Sequence, residues 1–128
     1  MSGRRISSGG PWEARYGYSR VAAAGDSAYV AGTTDAGPDG RSLHPGDPAA
    51  QARAILAIIE RALGEAGFSM VDVVRTRMYV TDRGNIAPVA EVHGEVFREV
   101  RPASTALVVE ALIEPSLLVE IEADAHRG

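Results

Sequence analysis

The sequence predicts an α+β fold, a mixed β-sheet with two helices packed on one face in the order β-β-α-β-α-β-β. Three observations carry that expectation. Strand-like runs open and close the chain, "RVAAAGDSAYVAGT" (Arg20–Thr33) and "LLVEIEADA" (Leu117–Ala125). Two stretches with apolar residues at helical spacing lie between them, Asp47–Gly67 and Ile86–Val100. A third alternating run, "DVVRTRMYVTD" (Asp72–Asp82), separates the two helices.

Each element follows from local chemistry. Strands around Tyr18–Ala24 and Ser27–Thr33 meet at Gly25-Asp26, a tight hairpin turn. The segment "TDAGPDGRSLHPGDP" gathers Gly, Pro and Asp and reads as a loop. Asp47-Pro48 supplies a side-chain acceptor at the N-cap and proline in the first turn of a helix. Ile55, Ile58, Ile59, Ala62 and Leu63 form its apolar stripe, and Gly67 stops it. In the next strand Val74, Thr76, Met78 and Val80 are expected on one side and Arg75, Arg77 and Tyr79 on the other. The second helix turns Ile86, Val89, Val92, His93, Val96 and Phe97 inward, and Pro102 ends it. Strands at Thr105–Leu112 and Leu117–Ala125 close the chain around "IEPS". In the last, Val119, Ile121 and Ala123 share one side, and Glu120, Glu122 and Asp124 the other. The second face of the sheet therefore mixes both signs of charge with Tyr79, Val108 and Leu118. It reads either as a solvated face or as a surface that meets another subunit.

Composition narrows the chemistry. At 128 residues the chain is expected to form a single domain, 1–128. A formal net charge of −4 argues against broad binding to nucleic acid or anionic membranes. The lead segment "MSGRRISSGGPWE" has no apolar run of the secretory type, and no run is long enough for a membrane span, so a cytoplasmic protein is the default expectation. There is no cysteine, which removes disulfides, thiolate nucleophiles and Cys-based metal sites. All 13 basic residues are arginine. Schiff-base lysine catalysis and a Walker-type phosphate loop are thereby excluded. No His/Asp/Glu spacing suggests a metal site. His93 lies on an inward helix stripe and reads first as a packed core histidine. Trp12, in a glycine-rich lead segment, reads as a staple for that segment or as a lid over a cleft.

Several motifs together resemble one family. "ISSGGPWE" (Ile6–Glu13), "VVRTRMYVTD" (Val73–Asp82), "HGEVF" (His93–Phe97), "VRPAST" (Val100–Thr105) and "LVEIEADA" (Leu118–Ala125) are similar to signatures of the RidA family, also called YjgF/YER057c/UK114. The resemblance spans nearly the whole chain. It implies a chorismate-mutase-like fold, homotrimers, small-molecule sites in the clefts between subunits, and no cofactor. It also implies an activity, hydrolysis of reactive enamines or imines to a carbonyl compound and ammonia. In that family an arginine clamps the substrate carboxylate, and a glutamate on the final strand holds the attacking water. Carried over position by position, the glutamate is Glu120 and a binding tyrosine is Tyr18. The backbone site after the second strand is Ala31-Gly32, and "PARSC" becomes Ala103 to Ala106 following Pro102. The clamp arginine is therefore Ser104, flanked by Thr105 and Ala106. Serine cannot replace a two-pronged charged donor, so altered specificity is implied. Arg77, on the polar strand face, is the better stand-in, or else forms a structural salt bridge with Glu120 or Glu122; Arg20 is a further candidate and Arg101 a poor one. The alternative is a trimeric small-molecule-binding or regulatory protein without deaminase activity.

Overall fold

The computed structural model describes residues 3–128; Met1 and Ser2, the start of the lead segment, lie outside the described residues. Six strands form one sheet, β1 (Gly3–Ile6), β2 (Val21–Ala24), β3 (Ser27–Thr33), β4 (Val73–Val80), β5 (Ala103–Val108) and β6 (Val119–His126). Their order across the sheet is β1-β2-β3-β6-β4-β5. Only β4 and β5 run parallel; the other neighbours are antiparallel. Three helices accompany them, a single turn α1 (Glu13–Tyr16) and the longer α2 (Pro48–Glu65) and α3 (Ile86–Phe97). The α+β class, the mixed sheet and the two long helices agree with the sequence expectation.

The core lies between the sheet and the long helices. Ile55, Ile59 and Leu63 of α2, with Val89, Val92 and Phe97 of α3, pack onto Val30, Met78, Val80 and Ile121. Asp47 caps α2 by accepting from Ala50 N at 3.0 Å, with Pro48 at the first helical position. At its far end Gly67 adopts a φ of 86°, a left-handed conformation that costs glycine nothing. The last strand alternates as expected: Val119, Ile121, Ala123 and Ala125 are buried and the three carboxylates between them are not.

Several expectations need correction, each for a physical reason. Val74 is exposed and Val73 buried, because a β-bulge between Val73 and Arg75 shifts the register against β6 and reverses the sides at that end. Thr76, Met78 and Val80 stay inward. Val96 is exposed, since α3 turns only Val89, Val92 and Phe97 fully into the core. That helix ends at Phe97 rather than Val100. Arg101 takes a φ of 55° while its N–H reaches the Phe97 carbonyl, and Pro102 follows. The first hairpin strand starts at Val21 rather than Tyr18, because Gly17 and Tyr18 donate to the Glu13 carbonyl and close α1. The strands expected at Thr105–Leu112 and Leu117–Ala125 are Ala103–Val108 and Val119–His126. Between them Glu114 accepts from Ser116 N and Oγ and turns the chain. β1 and α1 were not expected at all. Both have only four residues, too few to show a period.

One buried polar side chain ties the long loops to this core. Gln51 is 0% exposed on α2. Its amide donates to the carbonyls of His44 (3.1 Å) and Ser116 (3.0 Å) and accepts from Leu118 N (2.9 Å). Gln51→Ala removes the partner of three part-buried backbone groups, and an unsatisfied buried group costs about 1–3 kcal/mol. Partial resatisfaction by water makes a total loss of roughly 3 kcal/mol the expected outcome. Chemical denaturation should record that loss with an unchanged m-value.

Candidate functional site

A bulge in β3 builds the site. Val30 stands opposite Ala123 and Thr33 opposite Ile121, so three steps of β3 face two of β6. The extra residue falls at Ala31-Gly32. There the backbone approaches Glu120 so closely that a Cβ on Gly32 would overlap the Glu120 carboxylate. Any side chain at this position would have to displace the Glu120 carboxylate. The carboxylate of a polar β6 residue thus lies over bare backbone.

A buried ion pair holds the bulge. Arg20 is 5% exposed and Glu13 4% exposed. Arg20 donates from Nη1 to the Gly32 carbonyl (2.6 Å) and to Thr33 Oγ1 (3.1 Å), and from Nε to Ser8 Oγ (3.2 Å). Its Nη2 meets Glu13 Oε2 at 3.4 Å. Glu13 in turn accepts from Ser8 Oγ (2.6 Å), Ser8 N and Gly10 N. Burial pushes the Glu13 carboxyl up, but the hydrogen bonds from the Ser8 segment and the Arg20 charge outweigh it and hold it below the usual range. The glycine-rich lead segment is therefore a strap fastened at Glu13 and Arg20. Trp12, beside Glu13, lies against Gly40, where a Cβ would stand 3.1 Å from its ring. Trp12 both staples the segment and forms a wall of the cavity it covers.

That cavity measures about 640 Å³. Tyr18, Arg20, Ala31, Gly32 and Glu120 line its polar side. The Arg20 guanidinium sits 5.6 Å from the centre of the Tyr18 ring. Glu120 makes no hydrogen bond or ion pair with any described side chain or backbone group. Burial raises its pKa above the ordinary carboxylate value, Glu122 adds to the rise, and Arg20 opposes it. A half-buried carboxyl with a raised pKa and open coordination is suited to take up and release a proton.

Four of the sequence-selected residues, Tyr18, Ala31, Gly32 and Glu120, thus meet in one cavity. The other four lie elsewhere. Arg77 stands opposite Glu122, not Glu120, and pairs with Glu122 (3.1 Å) and Asp124 (3.5 Å). Ser104, Thr105 and Ala106 are on β5, the outer strand of the sheet, and none lines the cavity. Ser104 Oγ accepts from Thr76 Oγ1 at 2.8 Å, and Thr76 Oγ1 is 2.8 Å from His93 Nε2. With Thr76 donating to Ser104, His93 donates through Nε2. Burial lowers the His93 pKa, favouring the neutral ring. Sequence reasoning picks out Glu13 beside Trp12 but assigns it no role, and weighs Arg20 only as a clamp. Their one visible signal was a carboxylate inside a Gly/Ser-rich segment with a buried arginine seven residues on. Among the described residues no group of three or more His, Asp or Glu side chains is placed to hold a metal ion, and no helix is long and apolar enough to cross a membrane.

Residues 11–127 match the family model described as Endoribonuclease L-PSP. An uncharacterised Streptomyces coelicolor protein, SCO2049, is 38% identical over 125 residues, covering 98% of this chain and 92% of its own. The crystal structure of Rv2704 from Mycobacterium tuberculosis, a member of the YjgF/YER057c/UK114 family, is 48% identical with a TM-score of 0.88, covering 98% of this chain and all (100%) of its own. The E. coli protein TdcF, solved with bound serine, is 26% identical with a TM-score of 0.78, covering 98% and 94%.

The two carboxyls of the site have opposite effects on stability. Glu13, with a depressed pKa, adds stability above the ordinary carboxylate range and loses it as pH falls through its folded pKa. Glu13→Ala leaves Arg20 buried and unpaired, and should cost about 3–5 kcal/mol in urea unfolding at neutral pH. Glu120, with a raised pKa, costs stability once pH exceeds that pKa. Glu120→Gln should therefore melt higher than wild type at neutral pH. The gain should disappear at pH values below the ordinary carboxylate range.

Proposed function

This chain belongs to the Endoribonuclease L-PSP family, the YjgF/YER057c/UK114 or RidA family, and from that premise we propose that it is a cofactor-free enamine/imine deaminase. The observation that carries the reading is Glu120, a half-buried carboxyl over Gly32 with a raised pKa and no protein partner. In the proposed reaction an imine and one water give a carbonyl compound and ammonia. Glu120 accepts a proton from the water as its oxygen bonds to the imine carbon and the C=N electron pair moves to nitrogen. The protonated Glu120 then gives that proton to the nitrogen. Glu120 then takes the hydroxyl proton and passes it to the nitrogen, so that the C–N bond breaks with ammonia as the leaving group and the carbonyl forms. That the E. coli relative was solved with bound serine supports a small amine-bearing ligand. An RNA substrate is less well supported, since Glu120, Glu122 and Asp124 put carboxylates on one sheet face of a chain with net charge −4.

The site is proposed to lie between subunits of a homotrimer. Ser104, at the position of the family clamp, is exposed on the outer strand β5 and does not reach the cavity of its own chain. A neighbouring copy is required to bring it there. Tyr29 and Leu107, both exposed, supply apolar surface for the contact. Light scattering on the purified protein at micromolar concentration should give the mass of three chains. A stable monomer would remove the inter-subunit site.

Ammonia release from freshly generated imines tests the activity. Wild type should act, and Glu120→Gln should lose the activity. Ser104→Arg should raise turnover of carboxylate-bearing imines such as 2-aminoacrylate by on the order of a hundredfold, since bonds to charged groups contribute about 1.5–3 kcal/mol each. If neither wild type nor Ser104→Arg releases ammonia while the trimer persists, the protein is a ligand-binding member of the family. The neutral Ser104–Thr76–His93 chain is the observation that favours this second reading.

A further inference from the structure

We propose that the Glu120 cavity takes an organic cation, a protonated amine or iminium on an apolar body that carries no carboxylate. The inference rests on the cavity of the proposed function and assigns its ligand class. It comes from the balance of charges around the cavity. Arg20 cannot clamp a carboxylate: its three nitrogens are bonded to Ser8, Gly32, Thr33 and Glu13, and Glu13 neutralises it. Arg77 lies outside the lining and is held by two carboxylates. Arg61 and Glu65 also line the cavity from α2, one helical turn apart; both are exposed, opposite in charge and not ion-paired with each other. The charge left over is Glu120, and it is negative. At the position where the family places its arginine, a neighbouring copy would bring only the neutral hydroxyl of Ser104.

The remaining walls fit the rest of such a ligand. Pro11, Trp12, Leu43, Ile58 and Ile113 surround the cavity with apolar surface, and about 640 Å³ is far more than a three-carbon imino acid occupies. A carboxylate there would face Glu120, and the one lining cation without an ion pair among the described residues, Arg61, is solvent-exposed. An ammonium or iminium group at Glu120 gains a charge-assisted bond to a carboxylate that is already partly desolvated.

The sole tryptophan of the chain, Trp12, lines the cavity and reports on it. The full-length protein is titrated with n-hexylamine, hexanol, hexanoate and norleucine while its fluorescence is followed at neutral pH. Hexylamine should bind saturably and roughly tenfold or more tighter than hexanol, the return expected of one charge-assisted bond. Norleucine should bind more weakly than hexylamine, and hexanoate should give no saturable change. Glu120→Gln should remove the preference for the amine. Hexanol binding as tightly as hexylamine to wild type overturns the proposal without any variant. So does saturable hexanoate binding, and its loss in Arg61→Ala would then identify Arg61 as a carboxylate clamp. Hexylamine is not an imine, so its binding is independent of turnover. Absent ammonia release with intact amine binding rejects the deaminase reading alone, and the reverse result rejects this one alone.

Discussion

A single guanidinium organises the functional half of this protein. Arg20 is almost wholly buried, and burying it is tolerable only because each of its nitrogens is matched. The matching partners come from separate pieces of chain. Ser8 and Glu13 belong to the lead segment, Gly32 and Thr33 to the end of β3. Satisfying one charge therefore fastens the strap, fixes the bulge and leaves Gly32 bare beneath Glu120. The catalytic candidate makes no bond of its own to the protein. Its position is inherited from the strand that carries it and from the space that Arg20 keeps open. This arrangement places the carboxyl beside bare backbone while leaving it chemically uncommitted, as a proton-transferring group needs.

What was legible in the sequence follows the range of the interactions. The α2 helix was readable from Asp47, Pro48 and the Ile55–Ile59–Leu63 stripe, all local signals. The alternation of β6 was readable because that strand is central and truly two-faced, which is also why Glu120 was found. The reversed sides of Val73 and Val74 were not readable. A bulge adds one residue to a register that only the partner strand defines. The same holds for Ala31-Gly32, whose role is set by Glu120 far along the chain. β1 becomes a strand because β2 offers it an edge, and nothing in "GRRI" announces this. Arg77 could be read from the sequence either as a stand-in clamp or as the partner of Glu120 or Glu122, and only the β4–β6 register, which sets it against Glu122, decides between them.

The two halves of the family's chemistry are supported by different means. Around Glu120 the support is ionic and buried, through Glu13 and Arg20. Around Ser104 it is a neutral file of hydrogen bonds running through Thr76, which is fully buried, to an imidazole packed on Phe97 at 4.7 Å between ring centres. A charged arginine in place of Ser104 would break that file and leave Thr76 to resatisfy its hydroxyl. The substitution is thus embedded in the packing of α3 on the sheet and is not a simple surface exchange. It leaves β5 presenting hydroxyl and methyl groups along its outer edge.

The absence of lysine acquires a meaning beside this cavity. Its basic lining groups, Arg20 and Arg61, are guanidinium groups rather than amines. An aldehyde or ketone released there meets no side-chain amine anywhere in the chain with which to condense. Under the proposed reaction, the vessel in which carbonyls would form is walled without a single side-chain amine. Product could then accumulate next to this surface without tanning it.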